Sequence, residues 1–386
     1  MRTAPDLLPE GSVLLHIGPP KTGSTAIQRA LHGSRAALAE HGVLYPGKRM
    51  RAQAAGAAVL GIGASVGRAE PKIARWHALV EEIRQSDLSR VCLSQEPFAR
   101  ADDAAVGRIL DGLGADRTHV LYVARRLDRL VPSHWQERVK AWNELSFEDF
   151  LHRVLEEPDG PQGRRLWAPQ DVGSVVGRWA ARVGHDRVTV LVADEDDRDL
   201  IPRTFETMLG LPDGMLVPPP DRSNASLSFV EAEAIRRLNR TAREDGWSPR
   251  EYWKLVQRGV VPALAHRDRS GDARLRGLPD WALEQVAERA EQQIEALVGS
   301  GVRVVGDPEQ LRIRGRVEPA PVPPPVTAVD LDLLADVVSG IRSGSAQLQE
   351  RRAPRAPGSP PEELGARELL RRLAGRAARR LGVRRS

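Results

Sequence analysis

The chain has a single cysteine, Cys92, in 386 residues. An intramolecular disulfide is therefore impossible, which suits a reducing compartment. The nine histidines include no pair at the spacing of metal ligands, and there is no cysteine cluster to join them. No structural zinc and no other bound metal is expected. No apolar run reaches the roughly 20 residues of a membrane-spanning helix. The opening residues, MRTAPDLLPEGS, hold neither a long apolar stretch nor a cleavage signature, so a secretory signal is not expected. The expected location is the cytoplasm.

An even distribution of charge is also missing. The whole chain carries +5, yet residues 351–386 alone hold eleven arginines against three glutamates. That is +8, which leaves −3 on residues 1–350. The high pI belongs to the tail, so nucleic acid is not an expected partner of the body of the protein. Hydrophobic residues at 41% and charged residues at 28% are ordinary for a globular chain of this size.

Short apolar runs alternate with helical spacing. Val13–Ile17, 90–96, 118–126 and 187–195 read as strands. Thr25–Ala39, Trp76–Ile83, Ala104–Leu113, Leu130–Trp142 and Ile201–Leu209 read as helices. This alternation predicts an α/β fold with a mostly parallel sheet. Residues 226–299 read as helical, and 301–308 as a last short strand. The catalytic body is expected over 1–311, a proline-rich linker over 312–328, and a helical, basic, partly disordered tail over 329–386. Residues 52–70, rich in Ala and Gly, give no clear pattern.

The carboxyl ends of strands are where such sheets bind ligands. The stretch LLHIGPPKTGSTAIQRAL, residues 14–31, places a strand, a tight loop and a helix there. Free backbone N–H groups and the positive end of a helix dipole both favour an anion. Gly18 and Gly23 let the backbone approach a ligand, Lys21 adds a point charge, and Ser24 and Thr25 add hydroxyls. The glycine spacing is that of an ATP-binding phosphate loop, but Ser24 stands where the lysine should be. Lys21 comes before the second glycine instead of after it.

PKTGST resembles the 5′-phosphosulfate loop of sulfotransferases that use 3′-phosphoadenosine 5′-phosphosulfate (PAPS). A second element agrees. LYVARRLDRLVPSHWQ has Arg125 at a strand end and Ser133 eight residues later on the next helix. In that family such a pair binds the 3′-phosphate of the donor. Here the family's Arg-Asp-Pro is replaced by Arg125-Arg126-Leu127, so Arg126 stands beside Arg125 as an alternative. The late VTVLVADE and RTFETMLGLP also look like bacterial sulfotransferases. The resemblance covers roughly residues 10–310. It implies a three-layer sandwich with a central parallel sheet of the P-loop type, plus a helical C-terminal extension.

The resemblance further implies PAPS as co-substrate with no metal, Lys21 as the cation on the leaving phosphate, and Thr22, Gly23, Ser24 and Thr25 around the 5′-phosphate. The acceptor is expected to be a hydroxyl, ahead of an amine, of a carbohydrate, glycolipid or small molecule. A general base must take its proton. Glu96, after the strand 90–94, is the first candidate, with His16, His41 and His134 as alternatives. Arg222, Asn224 or Ser226 in DRSNASLS could close over the nucleotide. The basic stretch 362–383 has leucines on one face, which allows a peripheral contact with the inner membrane surface. Two other functions stay open: a P-loop kinase or NTPase, for which Asp194 and Glu195 would be the metal-binding acids, and a non-enzymatic anion- or membrane-binding protein.

Overall fold

The computed structural model describes residues 5–50, 52–63, 70–217, 227–265, 267, 269, 272, 275 and 277–349. The basic stretch 362–383 and the residues Arg222, Asn224 and Ser226 lie outside them. Six strands form one sheet: β1 (Val13–Gly18), β2 (Val43–Leu44), β3 (Arg90–Ser94), β4 (Thr118–Ala124), β5 (Val188–Val192) and β6 (Arg303–Val305). Their order is β2-β3-β1-β4-β5-β6, and every pairing is parallel. The fold is thus α/β, with one parallel sheet flanked by helices.

The alternation of side chains along β1 builds the two faces. Val13, Leu15 and Ile17 point into a core with Trp76, Ile109, Val176 and Trp179 from three helices. Leu14 points to the other face, where Ile27, Leu31, Phe205 and Met208 cover it. All six β1 residues are buried, as expected for a strand covered on both faces. β1 is also where the chain changes direction across the sheet, with β3 on one side and β4 on the other. The carboxyl end of β1 is therefore the crevice such a fold offers to a ligand.

A third cluster joins helices Leu127–Lys140, Phe147–Leu155, Phe229–Glu244 and Asp280–Gly299 beside the sheet. Trp135 lies inside it, against Phe147 and Phe229. The helix Leu331–Gln349 completes this layer. Its Gly340 runs so close to Gly259 and Val260 that a Cβ there would come within 2.5 Å of the Val260 Cα. Residues 312–328 lie along the same layer, with the Ala320 amide donating to the Leu278 carbonyl at 2.8 Å. Among the described residues, no helix is long and apolar enough to cross a membrane.

Two local readings of the sequence change. Thr25–Ala39 is not one helix but two, Ser24–Gly33 and Arg35–Glu40. The chain breaks at Gly33, where Ser34 closes the first helix through its amide to the Ala30 carbonyl. Residues 53–59, which gave no clear pattern, form a helix whose Ala55 and Val59 enter the core.

Candidate functional site

The loop between β1 and the helix Ser24–Gly33 is shaped by three residues in the left-handed backbone region: Gly18 at φ 89°, Lys21 at 75° and Gly23 at 93°. Gly18 is required by contact as well as by conformation, because a Cβ there would lie 2.8 Å from the Glu96 Cα. Lys21 has a side chain and so holds a strained conformation, typically about 1–3 kcal/mol above the relaxed one. Its surroundings enforce it. Thr22 and Ser24 are buried, and the Thr22 hydroxyl donates to the Pro19 carbonyl at 2.7 Å. Gln170 reaches the Pro20 carbonyl from outside at 3.4 Å. No side chain caps the N-terminus of the helix Ser24–Gly33, so its first amides are available to an anion.

Two cations converge on this loop. Lys21 extends to the helix Leu127–Lys140, where its Nζ lies 3.2 Å from Glu137 Oε1. Lys140 holds the same oxygen at 3.0 Å. Burial works to raise the Glu137 pKa, but the charges and hydrogen bonds of Lys140 and Lys21 outweigh it and hold the carboxyl down at about 2. Arg125, at the end of β4, donates from Nη1 to the Lys21 carbonyl at 2.9 Å and from Nε to Glu195 at 2.8 Å. Arg126 turns away and pairs with the buried Asp128 at 2.7 Å. The geometry thus separates the two arginines: Arg125 belongs to the loop and Arg126 to its own helix. Ser133 is half-buried. It stands one helical turn before Glu137, on the face that meets Lys21.

Glu96 starts the short helix Glu96–Arg100 directly after β3, with its backbone against Gly18. It is half-buried. His16 is fully buried on β1, and burial pushes its pKa down to about 3, so the ring is neutral. Its Nδ1 lies 2.7 Å from the Ser94 hydroxyl, which also accepts from Gln28 at 2.9 Å. The ring packs edge-on with Phe205, the centroids 5.3 Å apart. In this arrangement His16 ties β1 to β3 inside the wall of the site. His41 is exposed and precedes β2, at the opposite end of the sheet from the loop. His134 is buried, stacked on Phe150 at 6.2 Å.

The acids Asp194 and Glu195 follow β5 as expected, but both are engaged: Asp194 accepts from Gln310 and Glu195 from Arg125. Among the described residues, no group of three His, Cys, Asp or Glu is placed to hold a metal ion. Sequence reasoning passed over Glu137 and Gln136, and it did not place Glu195 on Arg125. Gln136 pairs with both backbone groups of Leu227, at 2.9 and 3.1 Å. That anchors the chain where residues 218–226 rejoin the described structure. The spacing of Glu137 from Ser133, one turn, is the signal that could have found it.

No family model matches the chain, and no curated protein matches it. Among solved structures it is similar to a sulfotransferase from Alicyclobacillus acidocaldarius, at 16% identity and a TM-score of 0.39. The likeness covers 60% of this chain and 94% of that one. The chemistry of the site has to be read from its own residues.

Proposed function

We propose that this protein is a sulfotransferase that moves the sulfuryl group of PAPS to a hydroxyl of a carbohydrate or glycolipid acceptor. The observation that carries the reading is the Arg125 guanidinium on the Lys21 carbonyl at 2.9 Å. It joins the loop suited to a 5′-phosphosulfate to the strand end suited to a 3′-phosphate.

In this reading the Thr22–Thr25 amides and hydroxyls hold the 5′-phosphate. The acceptor oxygen attacks sulfur in line. A bond from sulfur to the acceptor oxygen forms as the bond to the bridging oxygen breaks, and adenosine 3′,5′-bisphosphate leaves. Negative charge grows on the departing phosphate, and Lys21 neutralises it, an electrostatic effect commonly worth about 3–4 kcal/mol. Glu96 takes the acceptor proton. Arg125 and Ser133 hold the 3′-phosphate. Glu137 and Glu195, which the two cations hold now, give way to the ligand's own anions.

The kinase reading gains little from Asp194 and Glu195: among the described residues they belong to no group of three placed to hold a metal ion. The test is transfer of label from sulfur-labelled PAPS to a panel of glycans and glycolipids. Incorporation that is lost in Lys21→Ala supports the proposal, and no incorporation into any acceptor together with no binding of the donor defeats it.

A further inference from the structure

An open cleft of about 370 Å³ lies between the helices Pro161–Trp167 and Asp280–Gly299 and the start of the helix Val172–Val183. Its size is within the usual range of small-molecule sites, roughly 300–1,000 Å³. The short helix Ala168–Gln170 forms one edge. The Tyr122 hydroxyl, near the carboxyl end of β4, holds that edge by donating to the Pro169 carbonyl at 3.1 Å. Much of the wall is fixed in place. Trp167 is buried, and its Nε1 donates to the Val154 carbonyl at 2.6 Å. The Arg289 guanidinium lies over that ring, 4.8 Å from its centroid. Both carboxylate oxygens of Asp171 are held by Ser174.

The lining narrows the ligand. Its charged groups are Asp159, Asp171, Arg164 and Arg289, two acids against two cations. The cleft therefore has no excess of either sign, and its lining favours neither an anion nor a cation. Gln292 and Gln293 add amides, each with a donor and an acceptor. A hydroxyl has the same dual character, so donors and acceptors set side by side suit a hydroxyl-rich molecule. Pro158, Ala168 and Ala296 supply apolar surface between these groups. An uncharged sugar ring matches both features, with hydroxyls around its rim and C–H groups on its faces.

Two links tie the cleft to the site already described. Gln293 Nε2 donates to the Gln170 carbonyl at 2.7 Å, and Gln170 Nε2 reaches the Pro20 carbonyl at 3.4 Å, one residue before Lys21. The helix Ala168–Gln170 also lies against the helix Glu96–Arg100. Arg100 Nη2 donates to the Arg165 carbonyl at 3.3 Å, in the helix that brings Arg164 and Trp167 to the cleft. The cleft thus neighbours both the loop and Glu96, while Arg125 and Ser133 take no part in its lining. In the sulfotransferase reading above, on which this inference rests, Glu96 marks the acceptor's side. We propose that the cleft holds an uncharged sugar unit of the acceptor, a neighbour of the unit that receives the sulfuryl group. The acceptor is then an oligosaccharide and not a single sugar.

The test is calorimetric titration of the full chain, first with adenosine 3′,5′-bisphosphate and then, with and without its saturation, with sugars. The probes are neutral tetrasaccharides of glucose, galactose, mannose and N-acetylglucosamine, the four monosaccharides, and one uronate-bearing tetrasaccharide. At least one neutral tetrasaccharide is expected to bind at least tenfold more tightly than its monosaccharide and than the uronate probe. Gln292→Ala and Arg164→Ala, both at exposed positions, are expected to weaken it at least tenfold while bisphosphate affinity and the circular dichroism spectrum stay unchanged. Three results overturn the proposal: no neutral tetrasaccharide binds better than its monosaccharide, the uronate probe binds more tightly than all of them, or both substitutions leave sugar binding as it was. If the bisphosphate still binds in any of these cases, the donor site stands without the cleft. If wild type ignores the bisphosphate but binds a neutral tetrasaccharide through Gln292 and Arg164, the sugar site stands and the sulfotransferase reading falls.

Discussion

The guanidinium of Arg125 donates to the main-chain carbonyl of Lys21 at 2.9 Å, across 104 positions of sequence. One residue ends β4 and the other lies in the loop after β1. The hydrogen bond therefore fixes two adjacent strand ends around one crevice. Both side chains also hold a carboxylate, Glu195 for Arg125 and Glu137 for Lys21. In the proposed donor site, the two phosphate ends of PAPS take the places of both carboxylates.

Arg125 and Arg126 should separate cleanly under mutation. Arg125→Ala is expected to weaken adenosine 3′,5′-bisphosphate binding at least tenfold with little loss of stability. Arg126→Ala strands the buried Asp128 charge, with only the more distant Arg129 at 3.8 Å. Breaking a buried pair from one side typically costs about 3–5 kcal/mol. Urea denaturation and calorimetry on the two variants distinguish the roles.

Glu96→Gln should abolish most transfer and leave donor binding alone. The expected fall in kcat is about 10²–10⁴-fold, the usual contribution of a positioned base. A Glu96→Gln variant with near-normal turnover would remove Glu96 from the base role.

Gly18→Ala tests the close approach of the loop to Glu96. A methyl group would meet the Glu96 Cα at 2.8 Å, and the φ of 89° is unfavourable for alanine. Relief requires Glu96 or the loop to move. The expected result is a loss of about 1–3 kcal/mol in stability, with transfer falling further than donor binding. Gly61→Ala, at φ 67° but with nothing within 4 Å, is the control for backbone strain alone.

His16 predicts a pH dependence of stability. Its folded pKa is lowered to about 3, so the unfolded chain takes up a proton that the native state refuses. Stability is complete above the unfolded value near 6.5 and is lost as pH falls from there towards 3, by up to about 1.4 kcal/mol per pH unit for one histidine. His119 and His134, also lowered, add to the same slope. Urea midpoints measured from pH 7 to pH 5 should fall, and His16→Gln should make the fall shallower whatever it does to absolute stability.

The sheet was legible because each strand is a short apolar run, and β1 and β4 are buried end to end. The tight loop after β1 was legible because its glycines, lysine and hydroxyls are adjacent in sequence. Arg125 directly after a strand and Ser133 on the next helix were legible for the same reason. What sequence did not reveal depends on contacts between distant elements. His16 lies near the end of a strand, as a catalytic residue could, but the alternation of β1 sends it into the core with Phe205. The break at Gly33 is a local stop hidden inside a continuous apolar spacing.

The central claim is that Lys21 and Arg125 form one donor site. The most direct measurement is calorimetric titration of wild type, Lys21→Ala and Arg125→Ala with adenosine 3′,5′-bisphosphate, and then with ATP and magnesium. The account predicts bisphosphate binding to wild type that weakens at least tenfold in each variant. Binding of ATP with magnesium alone, or bisphosphate binding indifferent to both substitutions, would contradict it.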